Sequence, residues 1–183
     1  MGCDIHPYVA VRRDGQWVRS GLEVPRDRDY WAFAKLADVR NGLGFAGVDR
    51  GDPVTPIAQP RGLPPDTSIH DGDVNAEGDR EGIWLGDHSH SWVTLAELLA
   101  VNYNEPVTQR GLVKHRVAEN FRKYGYHPRE WVGGISGQGA EEYEPLEWKL
   151  PLYEAAGLLP RIIASICHLG KPDDVRLVFG FDS

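Results

Sequence analysis

Ile5-His6-Pro7-Tyr8-Val9-Ala10-Val11 decides the fold, because its residues alternate between two faces before Asp14-Gly15 turns the chain into Gln16-Trp17-Val18-Arg19. That is the pattern of a β-hairpin with a tight turn. The same period of two recurs at the far end, where Val175, Leu177, Phe179 and Phe181 alternate with Arg176, Val178, Gly180 and Asp182. The expected fold class is α+β, with an antiparallel sheet that pairs the N-terminal hairpin with the C-terminal strand. Such a pairing carries Asp182 towards Asp4 and His6.

Between these strands the apolar spacing changes to that of helices. Tyr30, Phe33, Ala34 and Ala37 predict a helix over Asp29–Arg40, with Asp27 or Asp29 as cap and Asn41-Gly42 as stop. Thr94-Leu95-Ala96-Glu97 has capping-box spacing and predicts a second start. Val113, Val117, Phe121 and Tyr124 predict a helix from about Thr108 to Tyr124, ended by Gly125. Pro160 suits the first turn of another, running through Ile162, Ile163 and Ile166 to Gly170, with Cys167 as a packed thiol. Three to four helices are therefore expected on the sheet. From about 42 to 82, Gly, Pro and Asp dominate without periodicity, which predicts one long irregular insertion in a single domain spanning 1–183. Arg61-Gly62-Leu63-Pro64 is expected to be pinned, and Ser68–Gly82 to be the most mobile internal segment.

Composition narrows the function classes. A net charge of −7 over 183 residues disfavours duplex nucleic acid held by counterion release, although Arg110, Lys114, Arg116, Arg122 and Lys123 could form a local basic groove. A small-molecule phosphate or nucleotide is the expected partner. No apolar run is long enough to span a bilayer, and the two cysteines, with no secretion signal before them, predict a cytoplasmic, reducing location. Oligomeric state is left open.

Chemistry concentrates in Gly86-Asp87-His88-Ser89-His90-Ser91-Trp92, with a second cluster at Cys3-Asp4-Ile5-His6. Histidines at i and i+2 project to the same side of an extended strand, and each imidazole can bind a metal, take a proton or hold a phosphate oxygen. One expectation is a metal-dependent hydrolase of a nucleotide or other phosphate ester. Asp4, His6, His88 and His90 would bind a divalent metal such as zinc, manganese or magnesium; Asp87, His88 and His90 would be catalytic. Arg40, Arg61 and Trp92 would hold the substrate. The alternative is a non-catalytic sponge, in which Arg40, Arg61, His88, His90 and the Gly133–Gly139 loop clamp phosphates while Tyr30, Trp84 or Trp92 stacks on a base. A third reading makes Cys3 a nucleophile with His6 or His88 as base.

The runs Met1-Gly2-Cys3-Asp4-Ile5-His6, Asp29-Tyr30-Trp31-Ala32-Phe33, Val39-Arg40-Asn41-Gly42, Arg61-Gly62-Leu63-Pro64-Pro65-Asp66 and Asp87-His88-Ser89-His90-Ser91-Trp92 resemble an uncharacterised family encoded by bacteriophages and some bacteria. The resemblance covers roughly the first half of the chain and returns at Phe179-Gly180-Phe181-Asp182. It implies a phage or prophage setting and carries no mechanism with it.

Overall fold

The computed structural model describes residues 2–67, 84–134 and 139–182. Strands β1 (Ile5–Arg13) and β2 (Gln16–Arg19) form the expected hairpin, and β6 (Val175–Phe181) lies antiparallel to β1 with Ile5 opposite Phe181 and Val11 opposite Val175. β3 (His88–Thr94) pairs with the other edge of β6, which gives a four-stranded antiparallel sheet in the order β2-β1-β6-β3. As a central strand, β6 is buried along its whole length.

Alternation divides the sheet into two faces. Ile5, Val9, Val11, Val93, Val175, Leu177, Phe179 and Phe181 enter the main core, where Phe33 and Phe181 meet edge to face at 5.1 Å. Tyr8, Ala10 and Val178 form a smaller cluster on the other face with Leu85, and Trp17, Leu63 and Trp92 pack around it. The main core is closed by α1 (Tyr30–Ala37), α2 (Leu95–Leu99) and α5 (Leu158–Ile166), with the single turn α4 (Leu152–Ala155) leading into the last. Asp29 caps α1 by accepting from the Ala32 N–H, and its other carboxylate oxygen accepts from the Leu158 N–H, so one side chain fixes the starts of two helices. Burial pushes its carboxyl up from the usual range.

Three sequence expectations are corrected. The helix expected over Thr108–Tyr124 begins only at His115: α3 spans His115–Tyr124, and Pro106–Lys114 is strand β4. β4 pairs with β5 (Tyr143–Pro151) in a separate two-stranded ribbon. The first helix stops at Ala37 rather than Arg40, because Asp38 adopts a left-handed conformation at φ 61°. Cys167 is exposed rather than packed, whereas Cys3 is buried, and both thiols are free.

Within the irregular insertion, residues 42–67 are tied at several points. Asn41 exchanges hydrogen bonds with the backbone of Val54, and a bridge joins Leu43 to Asp49. Arg61 is pinned as expected: its N–H meets Ser91 Oγ at 3.1 Å, and its guanidinium reaches the Trp92 carbonyl and both oxygens of Glu97. The segment expected to be most mobile, Ser68–Gly82, lies outside the described residues. Among the described residues no helix is long and apolar enough to cross a membrane.

Glu97 illustrates how far one residue carries a junction. It completes the capping box of α2 with Thr94 while holding Arg61, and Arg61 keeps its carboxyl below the usual glutamate value. A carboxyl depressed in the folded state stabilises fully above its unfolded pKa and loses that contribution as pH falls through the folded value. Glu97→Gln is therefore expected to cost about 1 kcal/mol at pH 7, with the gap to the parent closing below about pH 4. Urea unfolding of both proteins at several pH values checks this.

Candidate functional site

At the end of the sheet where the chain begins and finishes, Asp182 gathers the N-terminal cluster. Its carboxylate accepts from the Asp4 N–H at 2.9 Å and from His6 Nε2 at 3.0 Å. A carboxylate only accepts, so His6 Nε2 is the donor in this contact. The Asp4 side chain is in turn clasped by Arg28 through two bonds of 2.9 and 2.7 Å, and Arg28 holds its carboxyl below the usual range. The indole of Trp84 lies against His6 with ring centroids 4.1 Å apart.

His88 and His90 do not share a face, which corrects the i, i+2 expectation. The register of β3 against β6 slips between His88 and Ser91, and Ser89 takes a φ of 51°. This bulge inserts one residue, so His88 stacks on Phe181 of the core face while His90 lies over Gly180 on the other. There Gly180 is obligatory, since a Cβ would collide with the Leu85 carbonyl and the His90 ring. His90 Nε2 donates to the Gly86 carbonyl at 3.1 Å, and His88 Nδ1 meets Ser89 Oγ at 3.0 Å. Both histidines belong to β3, and its remaining residues separate them from the start of α2. Asp87 is held through its backbone, whose N–H donates to the Phe181 carbonyl at 2.6 Å.

The proposed metal ligands are thus brought to one end of the sheet but engaged separately. Among the described residues no three His, Cys, Asp or Glu side chains are grouped as a metal site. The proposed substrate residues part company as well. Arg61 stacks on Trp92 at 4.7 Å and is paired with Glu97, so this arginine and tryptophan serve one another. Arg40 lies elsewhere, with its guanidinium 5.8 Å from the Tyr30 ring and bonded to the Gly44 carbonyl. Buried Cys3 lies near it, and burial pushes that thiol up, opposite to what an activated nucleophile needs.

Arg40 faces a cavity of about 630 Å³ formed by the start of α1, the irregular segment after it and the junction of α4 with α5. Four arginines line it: Arg28, Arg40, Arg50 and Arg161. Arg28 is bound to Asp4 and Arg161 to Asp27. Arg50 differs, for among the described residues it makes no direct ion pair; the carboxylate that acts on it, Asp29, also lines the cavity and accepts from the Ala32 and Leu158 N–H groups. Its guanidinium rests 3.5 Å from the centroid of a Trp131 ring, and its Nε is buried with no hydrogen-bond partner. Burial lowers its pKa from the ordinary arginine value, and Tyr30 and the Asp29 carboxylate act in the opposite sense. Tyr30, Trp31, Leu43, Ala155 and Leu158 supply ring and apolar surface between the charges.

Arg50 is placed by β4, sixty residues on. Its carbonyl accepts from the Arg110 N–H at 2.7 Å, and Gly51 follows at φ 146° with no room for a Cβ beside the Thr108 carbonyl. Sequence reasoning missed Arg50 because it sits in a segment without periodicity; the available signal was an arginine immediately before a glycine. No protein-family model, curated protein or solved structure matches this chain.

Proposed function

We propose that the chain is a non-catalytic binding protein for a phosphate-bearing small molecule of nucleotide class, held in the arginine-lined cavity. The observation that carries this reading is Arg50, a half-buried guanidinium that lines the cavity with no direct ion pair among the described residues and with its Nε buried and unbonded. A buried charge without a partner is costly, and an oxyanion offsets that cost through charge-assisted hydrogen bonds. The volume suits a mononucleotide, and Tyr30 with its apolar neighbours offers surface to a base while arginines take the phosphate. In the phage setting that the resemblance implies, capture of a host nucleotide is a role such a cavity would serve.

The metal-hydrolase reading has less support. His6 and His90 each spend the Nε2 proton on an oxygen, and Asp4 is taken by Arg28. Catalysis and capture are separated by incubating the protein with a nucleotide panel and divalent cations, denaturing it, and weighing the released ligand. Capture predicts a ligand recovered at unaltered mass. A changed mass would make the protein an enzyme, and no retained ligand would remove the cavity reading.

A further inference from the structure

A second hollow adjoins the arginine-lined cavity. Gly125 ends α3 in the left-handed region at φ 72°, and the chain that follows folds back along the helix. Tyr126 stacks on Tyr124 with ring centroids 5.5 Å apart, and His127 meets the Phe121 ring at 5.9 Å. Between this segment, α3 and β5 lies a cavity of about 780 Å³, with Asn120, Tyr126, His127, Arg129 and Leu150 in its wall. Glu154 of α4 lines both this cavity and the arginine-lined one, so one residue is the wall they have in common. Its Oε1 accepts from the Tyr153 hydroxyl at 2.9 Å, and its Oε2 accepts no hydrogen bond among the described residues.

The two cavities differ in charge and in surface. The first sets four arginines against the carboxylates of Asp27, Asp29 and Glu154, an excess of one positive charge. With His127 neutral, the second sets Arg129 against Glu130 and Glu154, an excess of one negative charge. Phosphate is therefore favoured in the first and disfavoured in the second. The second instead suits an uncharged ring. Tyr126 is 67% exposed although Tyr124 backs it, and the Asn120 amide carries donors and an acceptor together. A nucleobase stacks on the one and pairs its edge with the other. Each cavity has the volume of a small-molecule site, and the first is sized for one nucleotide, so a second nucleoside needs the second cavity. Resting on the reading of the arginine-lined cavity, we propose that the ligand is a dinucleotide, with its phosphates and first base among the arginines and its second base on Tyr126. Glu154 Oε2 accepts a ribose hydroxyl where the ligand crosses from one cavity to the other.

The test compares adenosine monophosphate with two dinucleotides, pApA and diadenosine diphosphate, by isothermal titration into the full chain and into Tyr126→Ala. At least one dinucleotide is expected to bind about 10-fold or more tightly than the monophosphate, because stacking a second base is worth that much. Tyr126→Ala should abolish this gain and leave the affinity for the monophosphate within about twofold. The Tyr126 side chain is largely exposed, so the variant keeps its fold, and a thermal melt checks this. Backbone amide signals of Asn120 and Tyr126 should move with the dinucleotide and stay still with the monophosphate. Dinucleotides that bind no more tightly than the monophosphate, or a gain that Tyr126→Ala leaves intact, overturn the proposal while the reading of the arginine-lined cavity stands. If none of the three compounds binds, that reading fails and the proposal falls with it.

Discussion

Gly51→Ala is expected to destabilise the protein by roughly 3–5 kcal/mol, combining a backbone conformation that L residues rarely adopt with a direct collision. At φ 146° the new Cβ would fall inside the Thr108 carbonyl and press on the Trp31 ring. The chain can relieve this only by lifting residues 50–52 away from β4. That movement breaks the bond from the Arg110 N–H to the Arg50 carbonyl and withdraws Arg50 from Trp131. For a chain of 183 residues the thermal midpoint should fall by about 10 °C or more. A fall of under about 2 °C in a calorimetric scan would show that this segment is not clamped on the ribbon as described.

Arg50→Gln is the second large effect, and it is expected on binding rather than on folding. Removing the guanidinium takes away charge-assisted hydrogen bonds to phosphate, each contributing about 1.5–3 kcal/mol, so nucleotide affinity should fall roughly 10- to 100-fold. Stability should change little or rise, because the substitution also removes a half-buried charge that makes no direct ion pair among the described residues. Isothermal titration with adenosine monophosphate, beside a thermal melt of each protein, reads both effects. Arg61→Gln provides the contrast: its guanidinium is committed to Glu97 and Trp92, so affinity should stay within about twofold.

The outer parts of the fold were legible because their signals are local. β1 and β6 alternate cleanly, a Gly-containing turn separates β1 from β2, and the capping box at Thr94 marks α2 to the residue. The ribbon was not legible, because the buried face of β4 carries Gln109 and Gly111 where alternation would look for large apolar residues. Trp131 fills the space over Gly111, so the partner that completes the pattern comes from another segment. The apolar stripe of α3 then extended backwards into β4 unopposed.

The histidine pair failed for a similar reason. Nothing in Asp87-His88-Ser89-His90 announces that Ser89 will take a positive φ, yet that one conformation sends the two rings to opposite faces. By contrast the meeting of Asp182 with Asp4 and His6 follows from strand pairing alone, and it was readable. Arg50 depends on contacts nearly sixty residues away, at Thr108 and Arg110, which no local pattern records.

The most direct test of the cavity reading is a titration of isotope-labelled protein with adenosine monophosphate, following backbone amides together with arginine side-chain Nε–H signals. The account predicts saturable changes concentrated at Tyr30, Trp31, Arg40, Arg50 and Leu158, which surround the cavity. Changes concentrated instead at Asp87–Trp92, with the cavity residues unmoved, would contradict it and return the site to the histidines.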